Sequence, residues 1–200
     1  MDRSKPKGPD YLIMDNFFEN FSLNEADLRG ARKEAEAIGS ELCGKELAES
    51  NRCDYVTWIK GFSDEYKLSS FMKIYEKVAL LKPLFNEFSQ SESGDKSMRV
   101  DEEEIVVTRY NGASKKKQRY YRHKDSYFHD KNNELPGESL RKISMVIFLN
   151  HNYHKVQESA KAHKGMLRLY PNGESSVEGV VDISPRLGRA VLFKSEHMLH

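Results

Sequence analysis

Two hundred residues, 38% of them hydrophobic and 32% charged, suit one compact domain, with ten Phe, ten Tyr and one Trp to build its core. A formal net charge of +1 excludes a global electrostatic pull toward nucleic acid or membrane, and no apolar run approaches the roughly 20 residues that span a bilayer. Cys43 and Cys53 have neither metal-ligand spacing nor the numbers of a disulfide framework, which points to a reducing compartment, the cytoplasm or the nucleus.

Residues 1–9 are polar, contain Pro6, Gly8 and Pro9, and read as a disordered lead to a single domain over 10–200. Tyr11 to Phe18 predicts a short strand with a turn. Ser22, with Glu25 three residues on, fits a capping box. Leu28, Ala31, Ala35, Ile38 and Leu42 then recur at helical spacing, giving a helix that ends near Gly44. Asp54 to Lys60 is rich in β-branched and aromatic residues and predicts a strand. From Asp64 onward, Leu68, Phe71, Tyr75, Val78, Leu81, Phe85 and Phe88 predict one long amphipathic helix that Pro83 kinks or shortens.

Ser89 to Ser97 is a polar loop, and the period changes beyond it. Glu103–Tyr110, Arg141–Asn150, Gly165–Pro171, Val177–Pro185 and Arg189–Ser195 all predict strands. Helices followed by a run of strands imply a mainly β, α+β fold, with helices packed on a sandwich or barrel rather than woven into a parallel sheet.

The chemistry concentrates in YRHKDSYFHD, Tyr121 to Asp130. His123 and Asp125 stand two apart and point to one face if the segment is extended. Non-haem Fe(II) in oxygenases is held by two histidines and one carboxylate on one face of an octahedron, with the remaining positions open. A distant histidine must complete the set: His200 and His197 both follow the last predicted strand. In a chain with 7 His and 31 acidic residues this spacing also arises by chance, so the surrounding strands must carry the assignment.

The ordered strings VTRYNG, RYYRHKDS, RKISMVIFLN, GMLRLYP and DISPRLGRAVLFKSEHMLH resemble the catalytic domain of Fe(II)/2-oxoglutarate-dependent prolyl hydroxylases. NRCDYVTWIKG, Asn51 to Gly61, is similar to a strand found in the hypoxia-inducible-factor prolyl hydroxylases ahead of their long support helix. That resemblance implies a double-stranded β-helix, jelly-roll and cupin-like, braced by two or more helices. It implies iron ligands at His123, Asp125 and His200, because the family places the third ligand a few residues past a Phe-x-Ser turn. Tyr110, Tyr120, Phe148 and Leu167 fall on positions lining the cosubstrate pocket, and Arg52, Asp54, Trp58 and Arg141 on positions associated with the substrate finger.

The implied activity is hydroxylation of a prolyl residue in a protein or peptide, using Fe(II), O2 and 2-oxoglutarate with ascorbate in support, releasing succinate and CO2, and open to a role in oxygen sensing. The sequence departs from the family where an arginine on a strand beyond the third ligand normally anchors the far carboxylate of 2-oxoglutarate. The expectation is that further sequence supplies that arginine and the closing strands, now missing. A tyrosine that assists the anchor is replaced by Phe148, which has no hydroxyl to donate. Lys115, Lys116 and Lys117 lie in a long loop, as does the stretch Ser126 to Ser139; both are expected to flank the site mouth. The alternatives are an oxygenase of small molecules and a non-catalytic binding module of the same fold.

Overall fold

The computed structural model describes residues 10–19, 22–37, 41–42, 55–59, 69–93, 105–110, 120–125, 142–150, 165–173, 178–195 and 198–200. The elements in chain order are β1 (Tyr11–Met14), α1 (Glu25–Ala37), β2 (Glu41–Leu42), β3 (Tyr55–Ile59), α2 (Ser69–Ala79), α3 (Lys82–Ser93), β4 (Ile105–Arg109), β5 (Ile143–Ile147), β6 (Leu167–Leu169), β7 (Val181–Ile183) and β8 (Ala190–Lys194). Among the described residues there is no helix after α3, as the change of period predicts. No described helix is long and apolar enough to cross a membrane.

The helical half differs from expectation in two local ways. The capping box uses Asn24 and Asp27, not Ser22 and Glu25. The Asn24 side chain accepts from the Asp27 amide at 3.0 Å, and the Asp27 carboxylate accepts from the Asn24 amide at 3.1 Å. Ser22 has φ +59, outside the extended region that an N-cap requires. The second difference is Pro83, which splits the expected long helix into α2 and α3. Its ring would clash with the Ala79 carbonyl, so α2 stops there and Pro83 falls in the first turn of α3, where a missing N–H costs no hydrogen bond. Glu34 of α1 accepts from the Ser70 and Phe71 amides at 2.9 and 3.0 Å, placing a carboxylate at the positive end of α2.

The strands form three antiparallel sheets, ordered β1-β8-β5, β2-β3-β4 and β6-β7, short of the closed double-stranded β-helix expected. The first sheet separates two apolar clusters, and strand alternation explains how. Met145 and Ile147 on one face of β5, with Leu149 just beyond its end, pack against the cluster that includes Leu28, Ala31, Phe71 and Ile74 from the helices. Val146 on the other face, with Phe148 just beyond the end of β5, packs against the cluster of Leu169, Ile183, Val191, Phe193 and Met198. β8 is buried along its whole length because β1 and β5 flank it and a cluster covers each face.

The Pro185-to-Arg189 turn launches β8. Arg189 N–H bonds back to the Arg186 carbonyl at 3.1 Å, and Gly188 sits at φ +77, a conformation that disfavours any side chain. Arg189 then donates to Asp15 at 2.6 Å and to the Ser184 carbonyl at 3.0 Å, tying this turn to the one after β1. The Arg189 hydrogen bond holds the Asp15 carboxyl below its usual value of 3.8. A lowered folded-state pKa stabilises above the unfolded value and is lost as pH falls through the folded one. Replacing Asp15 with Asn should therefore lower the thermal midpoint at pH 7, with a gap that closes below pH 3.8 when melting is followed against pH. The effect should be small, since the Asp15 side chain is 57% exposed.

Candidate metal centre

Two segments far apart in sequence meet as a backbone pair. The His123 amide donates to the His200 carbonyl at 2.8 Å, and the His200 amide donates to the His123 carbonyl at 2.9 Å. Beside it, Tyr170 bridges to Leu199, so the segment 198–200 is held from both sides. Convergence of His123 and Asp125 comes from this long-range pair, not from membership of a regular strand: residues 121–125 carry no strand assignment.

One donor atom each from His123, Asp125 and His200 lies within 4.8 Å of the other two. His123 Nε2 is 3.3 Å from Asp125 Oδ1, and His200 Nε2 is 3.6 Å from the same oxygen. The far ring nitrogens lie close to backbone carbonyls: His123 Nδ1 to Tyr121 O at 2.9 Å and His200 Nδ1 to Met198 O at 3.3 Å. A carbonyl only accepts, so each Nδ1 carries the proton and each Nε2 presents a lone pair to the cluster.

The donor set fits a divalent metal. His123 Nε2 is buried and has no hydrogen-bond partner, which costs free energy unless something accepts its lone pair. Two imidazoles and one carboxylate, with far ring nitrogens held by carbonyls, are the ligand chemistry of non-haem Fe(II). Asp125 Oδ2 accepts a hydrogen bond from Ser144 Oγ, which lies 2.8 Å from Ser195 Oγ.

Aromatic rings pack the histidines in place. Tyr120 stacks on His123 with centroids 3.6 Å apart, and Phe193 lies 4.7 Å from His200. Of the other residues singled out in the sequence, Phe148 and Leu167 pack on the cluster that contains Phe193 and Met198. Tyr110 follows β4 and is 44% exposed. Trp58 is placed in β3 opposite Val106. Arg52, Asp54, Arg141 and His197 lie outside the described residues, as do Cys43, Cys53, Lys115, Lys116, Lys117 and the stretch 126–139. Sequence reasoning missed Ser144, Ser195 and Phe193.

Residues 105–200 match the 2OG-Fe(II) oxygenase superfamily. Comparison with curated proteins gives no match. Among solved structures, a prolyl hydroxylase from Trichoplax adhaerens, in complex with a hypoxia-inducible-factor oxygen degradation domain peptide fragment, is similar with a TM-score of 0.65 and 22% identity. The match covers 96% of this chain and 76% of that one. A Pseudomonas putida prolyl-4-hydroxylase has a TM-score of 0.54 and 20% identity, covering 96% and 83% of the two chains. The viral collagen prolyl hydroxylase of Paramecium Bursaria Chlorella virus-1, in its 2-oxoglutarate complex, has a TM-score of 0.51 and 18% identity, covering 94% and 78%. At these identities the likeness is one of fold.

Proposed function

We propose, on the premise that residues 105–200 form a 2OG-Fe(II) oxygenase domain, that this protein hydroxylates a prolyl residue of a protein or peptide, with succinate and CO2 as coproducts. The observation that carries this reading is the buried, unpartnered His123 Nε2 facing Asp125 Oδ1, with His200 Nε2 closing the triad. The prolyl substrate is supported by the fold neighbours, one of which is described with a bound peptide fragment.

In this reading His123, Asp125 and His200 hold Fe(II), which with 2-oxoglutarate supplies the O2-activating redox chemistry. The protein fixes geometry and excludes water. The Tyr121 and Met198 carbonyls favour the tautomers in which each Nε2 turns a lone pair toward the metal. Phe193 and Met198, 0% and 1% exposed, make the His200 side of the site dry. Tyr110, Tyr120, Phe148 and Leu167 are the proposed cosubstrate wall, with Tyr120 already against His123. Arg52, Asp54, Trp58 and Arg141 are the proposed substrate finger.

The test is an assay of purified protein with Fe(II), 2-oxoglutarate, ascorbate and O2, with and without proline-containing peptides. The expected result is succinate coupled to a peptide mass gain of one oxygen. Succinate with a small-molecule product and no change in any peptide would replace the prolyl reading, and absence of turnover under every condition would overturn the enzymatic one.

A further inference from the structure

Resting on the metal-centre reading above, we infer that Ser144 and Ser195 are positioning residues, a two-hydroxyl relay that holds Asp125 as a one-oxygen ligand. The faces of β5 and β8 that meet the Leu169–Phe193 cluster are apolar, through Val146, Phe148, Val191 and Phe193. By strand alternation Ser144 and Ser195 occupy the next positions on those same faces. They are 8% and 0% exposed. Two hydroxyls thus interrupt two otherwise apolar rows at the same spot, under the carboxylate.

The direction of the relay follows from the chemistry of its end. An ionised carboxylate only accepts, so Ser144 Oγ–H points to Asp125 Oδ2. Ser144 has spent its proton there, so at the 2.8 Å contact it accepts and Ser195 Oγ–H donates. Both hydroxyl protons therefore run toward Asp125, and each bond polarises the next. Oδ2 is held by this relay, while Oδ1 is the oxygen that sits 3.3 and 3.6 Å from the two imidazole Nε2 atoms. The carboxylate is thereby divided between its two oxygens: one for the protein, one for the metal. Keeping Oδ2 off the metal preserves a coordination position for the cosubstrates.

The backbone makes the relay stiff. Ser144 lies inside β5 opposite Phe193 of β8, and the Ser195 amide donates to the Lys142 carbonyl at 2.9 Å. Ser144 is fixed within a strand, and Ser195, in the turn immediately after β8, is tied by that amide to the residue just before β5.

The test uses Co(II) and Mn(II) binding to the full chain, with no cosubstrate or peptide, so it does not depend on turnover. Ser144→Ala should weaken Co(II) affinity by roughly 10- to 100-fold, the range typical of outer-shell partners of metal ligands. It should also change the visible Co(II) spectrum as Asp125 becomes free to bind through both oxygens. Ser195→Ala should shift both readouts in the same direction by less, and Ser144→Thr, which keeps the hydroxyl, should restore them. Thermal melting of the metal-free variants checks that the fold persists. Wild-type affinity and spectrum in Ser144→Ala would overturn the relay alone, whereas a wild-type chain that binds neither metal would overturn the metal centre itself.

Discussion

Replacing His123 with Ala should abolish metal-induced stabilisation while leaving the metal-free fold near its original stability. A ligand at about 100 times its dissociation constant adds about 2.7 kcal/mol to a folded state that alone binds it. For a domain of this size that is a rise in Tm of roughly 5–10 °C, the shift expected of the unmodified protein with Mn(II) or Co(II). Deleting the imidazole removes one of three donor groups and should reduce affinity by more than the roughly 10- to 100-fold that outer-shell partners cost.

The metal-free protein should tolerate the change because two terms oppose each other. The imidazole carries a buried nitrogen without a partner, and such a group costs about 1–3 kcal/mol to bury. Its stacking on Tyr120 and its bond to the Tyr121 carbonyl are lost, at about 1 kcal/mol each. Stability is thus nearly balanced without metal and sharply unequal with it. His200→Ala should lose the metal shift as well, and His197→Ala should keep it. Melting curves of the three variants with and without Mn(II) decide the matter, and a shift retained by His123→Ala would remove that residue from the ligand set.

The His123, Asp125 and His200 group was legible in the sequence through the ordered strings around it, since the spacing of its polar groups also arises by chance. The strands were legible for a different reason: β5 and β8 read as nearly continuous apolar, β-branched and aromatic runs, the pattern of strands covered on both faces. What the sequence hid was long-range pairing. The His123–His200 backbone exchange joins segments more than seventy positions apart, and no local pattern announces it. The capping box was misplaced by two residues because Ser22, Asn24, Glu25 and Asp27 offer overlapping candidates, and only the backbone conformation chooses. Pro83 was expected to kink or shorten the helix; α2 is the shortened helix, and the second one, α3, was not foreseen as separate. Ser144 and Ser195 left a signal that went unused: a hydroxyl where strand period calls for an apolar side chain is a polar group in need of a buried partner.

Phe193→Ala should be the most destabilising of the substitutions considered, and it should damage the site from beneath. Phe193 is 0% exposed, lies at the centre of the β1-β8-β5 sheet opposite both Tyr11 and Ser144, and packs with Leu169, Ile183, Val191 and Met198. Truncating a fully buried Phe to Ala costs about 3–5 kcal/mol, because transfer free energy is lost and the surrounding strands cannot collapse into the space. Set against a typical domain stability of roughly 5–15 kcal/mol, that is enough to populate unfolded chain at physiological temperature. Chemical denaturation should show the midpoint falling with an unchanged slope. The ring also borders His200 at 4.7 Å, so its removal frees that imidazole to rotate and admits water to the dry side of the triad. Phe193→Leu separates the two roles: it refills most of the volume, and should recover all but about 1.5 kcal/mol of stability, yet it returns no ring to His200. If Phe193→Leu binds Co(II) as tightly as the unmodified chain, the ring serves the core alone; weaker binding in a well-folded Leu variant identifies the aromatic contact as part of what seats the third ligand.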